Sequence, residues 1–318
     1  MFAGLCTGSD QPFHEALVDT RTTDKNFMSV ALTCLAGMLF AVNATFTRLA
    51  LDRTSVRTDV AAAATVMIAA TVAAVIAIFG GVRLDDLSWA DSQGFFVIGA
   101  IVPGVGQLTF YAAIRRVGPS RSAIMLGTVP VWSVVMAIVF LNEHWSASVI
   151  VGTLLAVVGS VILATEGITK ASVSRLGLAF AALTAFQFAI RDVLARSVTQ
   201  ESNLDSSTAA AVTLGVGALV LIGVAAGTAG PREFFGNLHR SMPAMLIPGI
   251  AIGLALPALL AAFERSRVGI VSPLLGATQT VAAVLLSGLL IGGTEISKRV
   301  VLAVGVTLAG GTLIGVTR

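Results

Sequence analysis

The chain has 318 residues, 56% of them hydrophobic and only 12% charged, with a mean hydropathy of +0.91. A soluble domain carries about 25% charged residues, so a water-facing surface cannot be covered and the composition specifies an integral membrane protein. The net charge of +3 is small, and the basic residues sit at the ends of apolar runs, which excludes the clustered cations that nucleic-acid binding needs.

Residues 1–27 form a polar tail of mixed charge, without the apolar core of a signal peptide. Met28 is an alternative start. Ten apolar stretches follow, each about 20 residues long and so able to cross a bilayer as a helix: 28–48, 59–79, 94–114, 119–141, 147–165, 176–196, 208–228, 243–263, 268–291 and 297–316. The connectors are short. The longest polar interval, 229–242, reads as an exposed loop.

The most organised stretch runs from Tyr111 to Glu143. A basic connector, Arg115-Arg116-Val117-Gly118-Pro119, leads into an apolar run broken at Pro130 and closed by Asn142-Glu143. From Ala261 the pattern returns. Leu126-Gly127 lies over Leu275-Gly276, and Glu143 over Glu295. At nearly the same offset, Phe40-Ala41-Val42-Asn43 lies over Phe188-Ala189-Ile190-Arg191, and the span from Val151 matches that from Val304. The expected fold is therefore an all-α integral membrane protein of ten transmembrane helices, built as two five-helix repeats, 28–166 and 176–318. Five spans per repeat is an odd number, so the second enters from the opposite face, the inverted arrangement of secondary transporters.

The block RRVGPSRSAIMLGTVPVWSVVMAIVFLNE and its weaker second copy resemble the drug/metabolite transporter superfamily, in its ten-helix branch with two EamA-type repeats. The resemblance covers 28–318. It implies a central cavity lined mainly by spans 1, 3, 4, 6, 8 and 9, with the termini on the cytoplasmic side of a plasma (inner) membrane. The Lys and Arg distribution points the other way, since fewer lie on the side of the termini than opposite them.

Polar side chains inside spans are costly and mark candidate sites. Thr184, Gln187 and Arg191 share one helix face. Arg191 either binds a substrate carboxylate or snorkels to the interface. Asp192 either neutralises it or pairs with Arg196, four residues on, leaving Arg191 free. Gln107 and Tyr111 share a face below Pro103-Gly104 and either line the cavity or join two helices. Asn43 and Gln279 have the same two readings. Trp132 either stacks on a flat or cationic substrate or packs against lipid or a neighbouring helix. Thus the candidate substrate-binding set is Asn43, Gln107, Tyr111, Trp132, Gln187, Arg191 and Gln279, and Pro130, Glu143 and Glu295 are gating or structural residues.

Gly152, Ala156 and Ser160, and Gly311 and Gly315, form small-residue faces for close packing or a homodimer. Neither Cys6 and Cys34 nor His14, His144 and His239 make a metal site, and no cofactor is expected. The first span lacks the carboxylate on which small multidrug transporters rely, which disfavours their cation mechanism. There is no P-loop and no catalytic constellation. The leading function is a secondary transporter of a small polar metabolite, such as an amino acid or related compound, working by alternating access. The alternatives are a drug exporter of the same fold and a non-transporting scaffold, and an intramembrane enzyme is disfavoured.

Overall fold

The computed structural model describes residues 11–53, 57–82, 87–143, 146–165, 174–291, 302–306, 309–310 and 313. Every regular element among them is helical. The chain runs through α1 (Gln11–Arg53), α2 (Thr58–Phe79), α3 (Trp89–Gly99), a widened turn at Ala100–Val105, α4 (Gly106–Leu126), α5 (Val129–Leu141) and α6 (Ala147–Thr165). It continues through α7 (Arg175–Glu201), α8 (Ser206–Ala229), α9 (Pro231–Ser241), α10 (Leu246–Arg265) and α11 (Val268–Ile291).

Among the described residues six stretches are long and apolar enough to cross a membrane: Phe27–Leu51, Thr58–Phe79, Trp89–Val117, Arg175–Glu201, Ser206–Ala229 and Leu246–Arg265. Val129–Leu141, Ala147–Gly159 and Val268–Ala283 are apolar but shorter. The expected ten-span count is thus met in part. The fourth expected span is divided between α4 and α5 by a turn at Gly127-Thr128. The tenth, with Gly311, Gly315 and the expected Glu295 pair of Glu143, lies largely outside the described residues.

One expectation needs correction. The interval 229–242 is a helix, α9, rather than a loop. Phe234, Leu238 and Ser241 are buried along it while Phe235 is exposed, the spacing of an amphipathic helix with one face on the bundle. Its polar content hid that period.

The bundle is held by close helix pairs. α1 packs on α10 and α11, α2 on α8, and α4 on α7. The buried run Val60–Val66 of α2 is mostly alanine, and small side chains let backbones approach when the surroundings are as apolar as the core. Large apolar residues such as Phe79, Phe140 and Leu289 point outward, as expected where lipid is the solvent.

The break between α3 and α4 follows from Pro103. Proline has no N–H and clashes with the preceding turn, and it drives the residue before it out of helical geometry. Val102 is accordingly extended, with φ −145° and ψ 117°. α8 is moulded to this break. A Cβ on Gly217 would lie 2.5 Å from Pro103 Cγ, and one on Gly99 would lie 2.3 Å from the Thr213 carbonyl oxygen.

Candidate functional site

A small cavity of about 50 Å³ lies among α1, the Pro103 break, α4, α7, α8, α10 and α11. Its polar lining is Asn43, Gln107, Arg191 and Gln279, set among Phe40, Phe110, Phe188 and aliphatic side chains. Four of the seven expected substrate-binding residues are therefore brought together. Two come from each half of the chain. Phe40 and Asn43 on α1 and their sequence counterparts Phe188 and Arg191 on α7 all reach it, so the aligned segments meet at one place.

Arg191 dominates the electrostatics. Its side chain is 7% exposed, and its Nε and Nη2 donate to Asp192 Oδ1 at 3.0 and 2.7 Å. The guanidinium carbon lies 5.0 Å from the Phe188 ring centre and 5.8 Å from that of Phe40, so aromatic faces flank the cation. Asp192 is fully buried. Its other oxygen, Oδ2, accepts hydrogen bonds from Ser133 on α5 at 3.1 Å and Ser272 on α11 at 2.7 Å. A lone buried carboxylate would be prohibitively costly, and this one is paired and fully hydrogen-bonded.

This overturns the pairing of Asp192 with Arg196. Arg196 instead donates to the Phe263 carbonyl at 2.6 Å and lies 3.8 Å from Glu143. Adjacent residues on a helix point in different directions, but the long Arg191 side chain folds back to its neighbour. Spacing rules do not capture that.

The cavity also holds an unmet donor. Gln107 is 5% exposed, and its Nε2 has no hydrogen-bond partner. Such a group costs about 1–3 kcal/mol when buried, a penalty expected where the group serves something other than stability. Asn43 is better satisfied, donating from Nδ2 to the Pro248 carbonyl at 3.3 Å.

The other three expected residues lie elsewhere. The Tyr111 hydroxyl sits 3.4 Å from Thr47 Oγ1 and 3.2 Å from Thr65 Oγ1, fully buried where α1, α2 and α4 meet. Gln187 accepts from Thr109 at 2.7 Å, and Thr184 Oγ1 lies 2.9 Å from Thr109 Oγ1, tying α7 to α4. Trp132 is 46% exposed and packs edge-on to Phe186 at 6.1 Å, on the outer surface of the bundle. Pro130 is buried in the first turn of α5, where its missing N–H leaves no bond unmade.

Glu143 closes one end. After Asn142 turns the chain left-handed at φ 50°, the Glu143 oxygens accept from the N–H groups of Val268 and Gly269 at 3.1 and 3.3 Å. A carboxylate at its own helix C-terminus is unfavourable, but here it caps the N-terminus of another helix, where the dipole favours it. Ser133, Ser272 and the flanking phenylalanines were not singled out from sequence. Only the Phe40/Phe188 alignment carried a signal for any of them. Among the described residues no group of His, Cys, Asp or Glu side chains could hold a metal ion.

Residues 27–165, somewhat less than half of the chain, match the EamA-like transporter family, the family that the sequence resembles, and the apolar helices make the chain a multi-pass membrane protein. No curated protein matches it. Among solved structures 29 chains match, so the architecture is a recurrent one. One of these, described as "Crystal structure of protein", superposes with a TM-score of 0.64 at 17% identity, over 89% of this chain and 99% of its own. At that identity the likeness speaks for the fold alone.

Proposed function

We propose that this chain is a secondary transporter of a small polar metabolite, an amino acid or related carboxylate, working by alternating access across the plasma (inner) membrane. The observation that carries this reading is the cavity itself. Asn43 and Gln107 from the first half and Arg191 and Gln279 from the second converge there. Repeat-related segments meeting at a mid-span site are the hallmark of rocking transporters, which supports reading the halves as inverted five-helix repeats.

The lining chemistry favours a substrate with acceptor oxygens. It offers a guanidinium and carboxamide groups, and no carboxylate is among the lining residues. A bulky cation finds no counter-ion there, which argues against the drug-exporter alternative. A space of about 50 Å³ has room for a few waters but not for a metabolite. The two halves must therefore part to admit substrate.

The test is uptake of labelled amino acids, hydroxy acids and quaternary ammonium compounds by the full chain in liposomes, beside Gln107→Leu. The expected result is uptake of a carboxylate-bearing solute, lowered about tenfold in the variant, the effect of losing one hydrogen bond to substrate. Uptake of quaternary ammonium compounds alone would favour the exporter. Uptake of nothing would favour the scaffold.

A further inference from the structure

We infer that Asp192 is a proton-binding site that switches Arg191 between an internal partner and a substrate carboxylate, making transport a symport of one proton with each substrate molecule that pairs with Arg191. The inference rests on the transport reading above and adds the coupling ion and the residue that carries it.

The argument begins with charge. Arg191 is the cation of the cavity lining, and both of its bonded nitrogens go to Asp192 Oδ1. A substrate carboxylate that takes over this guanidinium leaves Asp192 charged and unpaired in a site with no exposure to water. That state is too costly to populate, and a buried carboxylate in this position takes up a proton instead. Entry of an anionic group alone would add one negative charge to the site. Entry with a proton adds none. The proton goes to Asp192, the Arg191–Asp192 pair opens, and a pair between Arg191 and the substrate carboxylate forms. Release on the other side reverses each step.

The surroundings of Asp192 suit both protonation states. Its Oδ2 is held by two hydroxyls, Ser133 and Ser272. A hydroxyl both donates and accepts. Each can donate to the charged carboxylate, and either can accept once Oδ2 carries a proton. The serines also sit on α5 and α11, so the state of Asp192 is felt by three helices. Gln107, with its unpartnered Nε2, supplies a further donor for the incoming carboxylate.

Other charged groups near α7 are already engaged or remote. α5 and α11 present only the two serines to Asp192 and have no titratable residue within Val129–Leu141 or Val268–Ile291. Beyond α5, Glu143 faces Arg196. At the end of α10, Glu264 and Arg265 pair with each other. On α4, Tyr111 bonds to threonines and Arg115 to Thr58, and Arg116 lies over Phe180. On α3, Asp91 is held by Ser88 and Asn203. Arg191 is the charged side chain bonded to Asp192.

The experiment uses the full chain in liposomes loaded with a pH-reporting dye, with the membrane potential clamped at zero. The probes are labelled leucine, glutamate and gluconate, with choline as a probe lacking a carboxylate. The expected result is proton entry with a carboxylate probe and accumulation of about tenfold per pH unit, a tenfold ratio being the free energy of one proton across one unit. Asp192→Asn should neither accumulate a carboxylate probe nor move protons with it. Carboxylate exchange by the wild type without proton entry, or accumulation by Asp192→Asn, overturns the inference and leaves the transport reading standing. Movement of choline alone overturns the carboxylate class. Movement of no probe defeats the transport reading and this inference together. If Asp192→Asn does not fold, the wild-type dye measurement decides by itself.

Discussion

Glu143 and Arg196 stand 3.8 Å apart at one end of the bundle, and between them they satisfy the exposed backbone ends of two other helices. Glu143 accepts from the first N–H groups of α11, and Arg196 donates to the last carbonyls of α10 at Phe263 and Glu264. Helix ends carry orphan donors and acceptors. Here the ends of α10 and α11 are tied to α5 and α7 by one ion pair, across the end of the bundle on which Asp192 also lies.

Replacing Glu143 by Ala should therefore cost about 2 kcal/mol, since it strands two N–H groups and removes the counter-ion of Arg196. Glu143→Gln keeps one acceptor oxygen and should lose less. Thermal unfolding of both variants in detergent checks this order, and equal melting temperatures for Ala and wild type would count against the cap.

Gln107→Leu should separate stability from function. Removing a buried amide whose Nε2 is unpaired relieves a penalty, so the variant should be as stable as the wild type or more stable by about 1 kcal/mol. Uptake should fall. A gain in stability at the expense of activity is the usual signature of a site residue, and paired melting and uptake measurements test it. Lower stability together with lower uptake would make Gln107 a packing residue.

Trp132→Leu should leave uptake within about twofold of wild type, as for surface positions away from special features. The indole is on the outer surface of the bundle, against Phe186. A large loss of uptake in liposomes would place it in the substrate path.

Asp205 gives a dependence on pH. It caps α8, accepting from the N–H groups of Ser207 and Thr208 and from both hydroxyls. Partial burial works against the charged form, but the bonds from Ser207 and Thr208 outweigh it and hold the carboxyl below its usual range. A lowered folded value means the contribution is present above about pH 4 and is lost as pH falls through it. The cap should be worth about 1 kcal/mol. Melting temperatures of wild type and Asp205→Ala should thus differ at pH 7 and draw together as pH falls below about 4, and a gap that does not narrow in acid would contradict this.

Much of this protein was legible in its sequence. Membrane class follows from 12% charged residues, because too few charges remain to solvate a surface. The resemblance to the EamA-like family follows from a repeated block with Pro130 and Glu143 at set places. The candidate site was legible to the extent that polar groups inside apolar spans are rare and must face something. Asn43, Gln107, Arg191 and Gln279 were marked for that reason, and one cavity holds all four.

Tertiary structure decided the partners. Sequence spacing allowed Asp192 to pair with Arg196, and only the fold brings Glu143 and the end of α10 within reach of Arg196, leaving Asp192 to Arg191. Two serines from separate helices converge on one carboxylate oxygen, which no local pattern records. Gln187 and Tyr111 share helix faces with cavity residues, but neighbouring threonines claim their hydrogen bonds first. A residue's type and periodicity specify which side of a helix it occupies. What meets it there depends on chain segments distant in sequence, and so emerges only once the helices are packed.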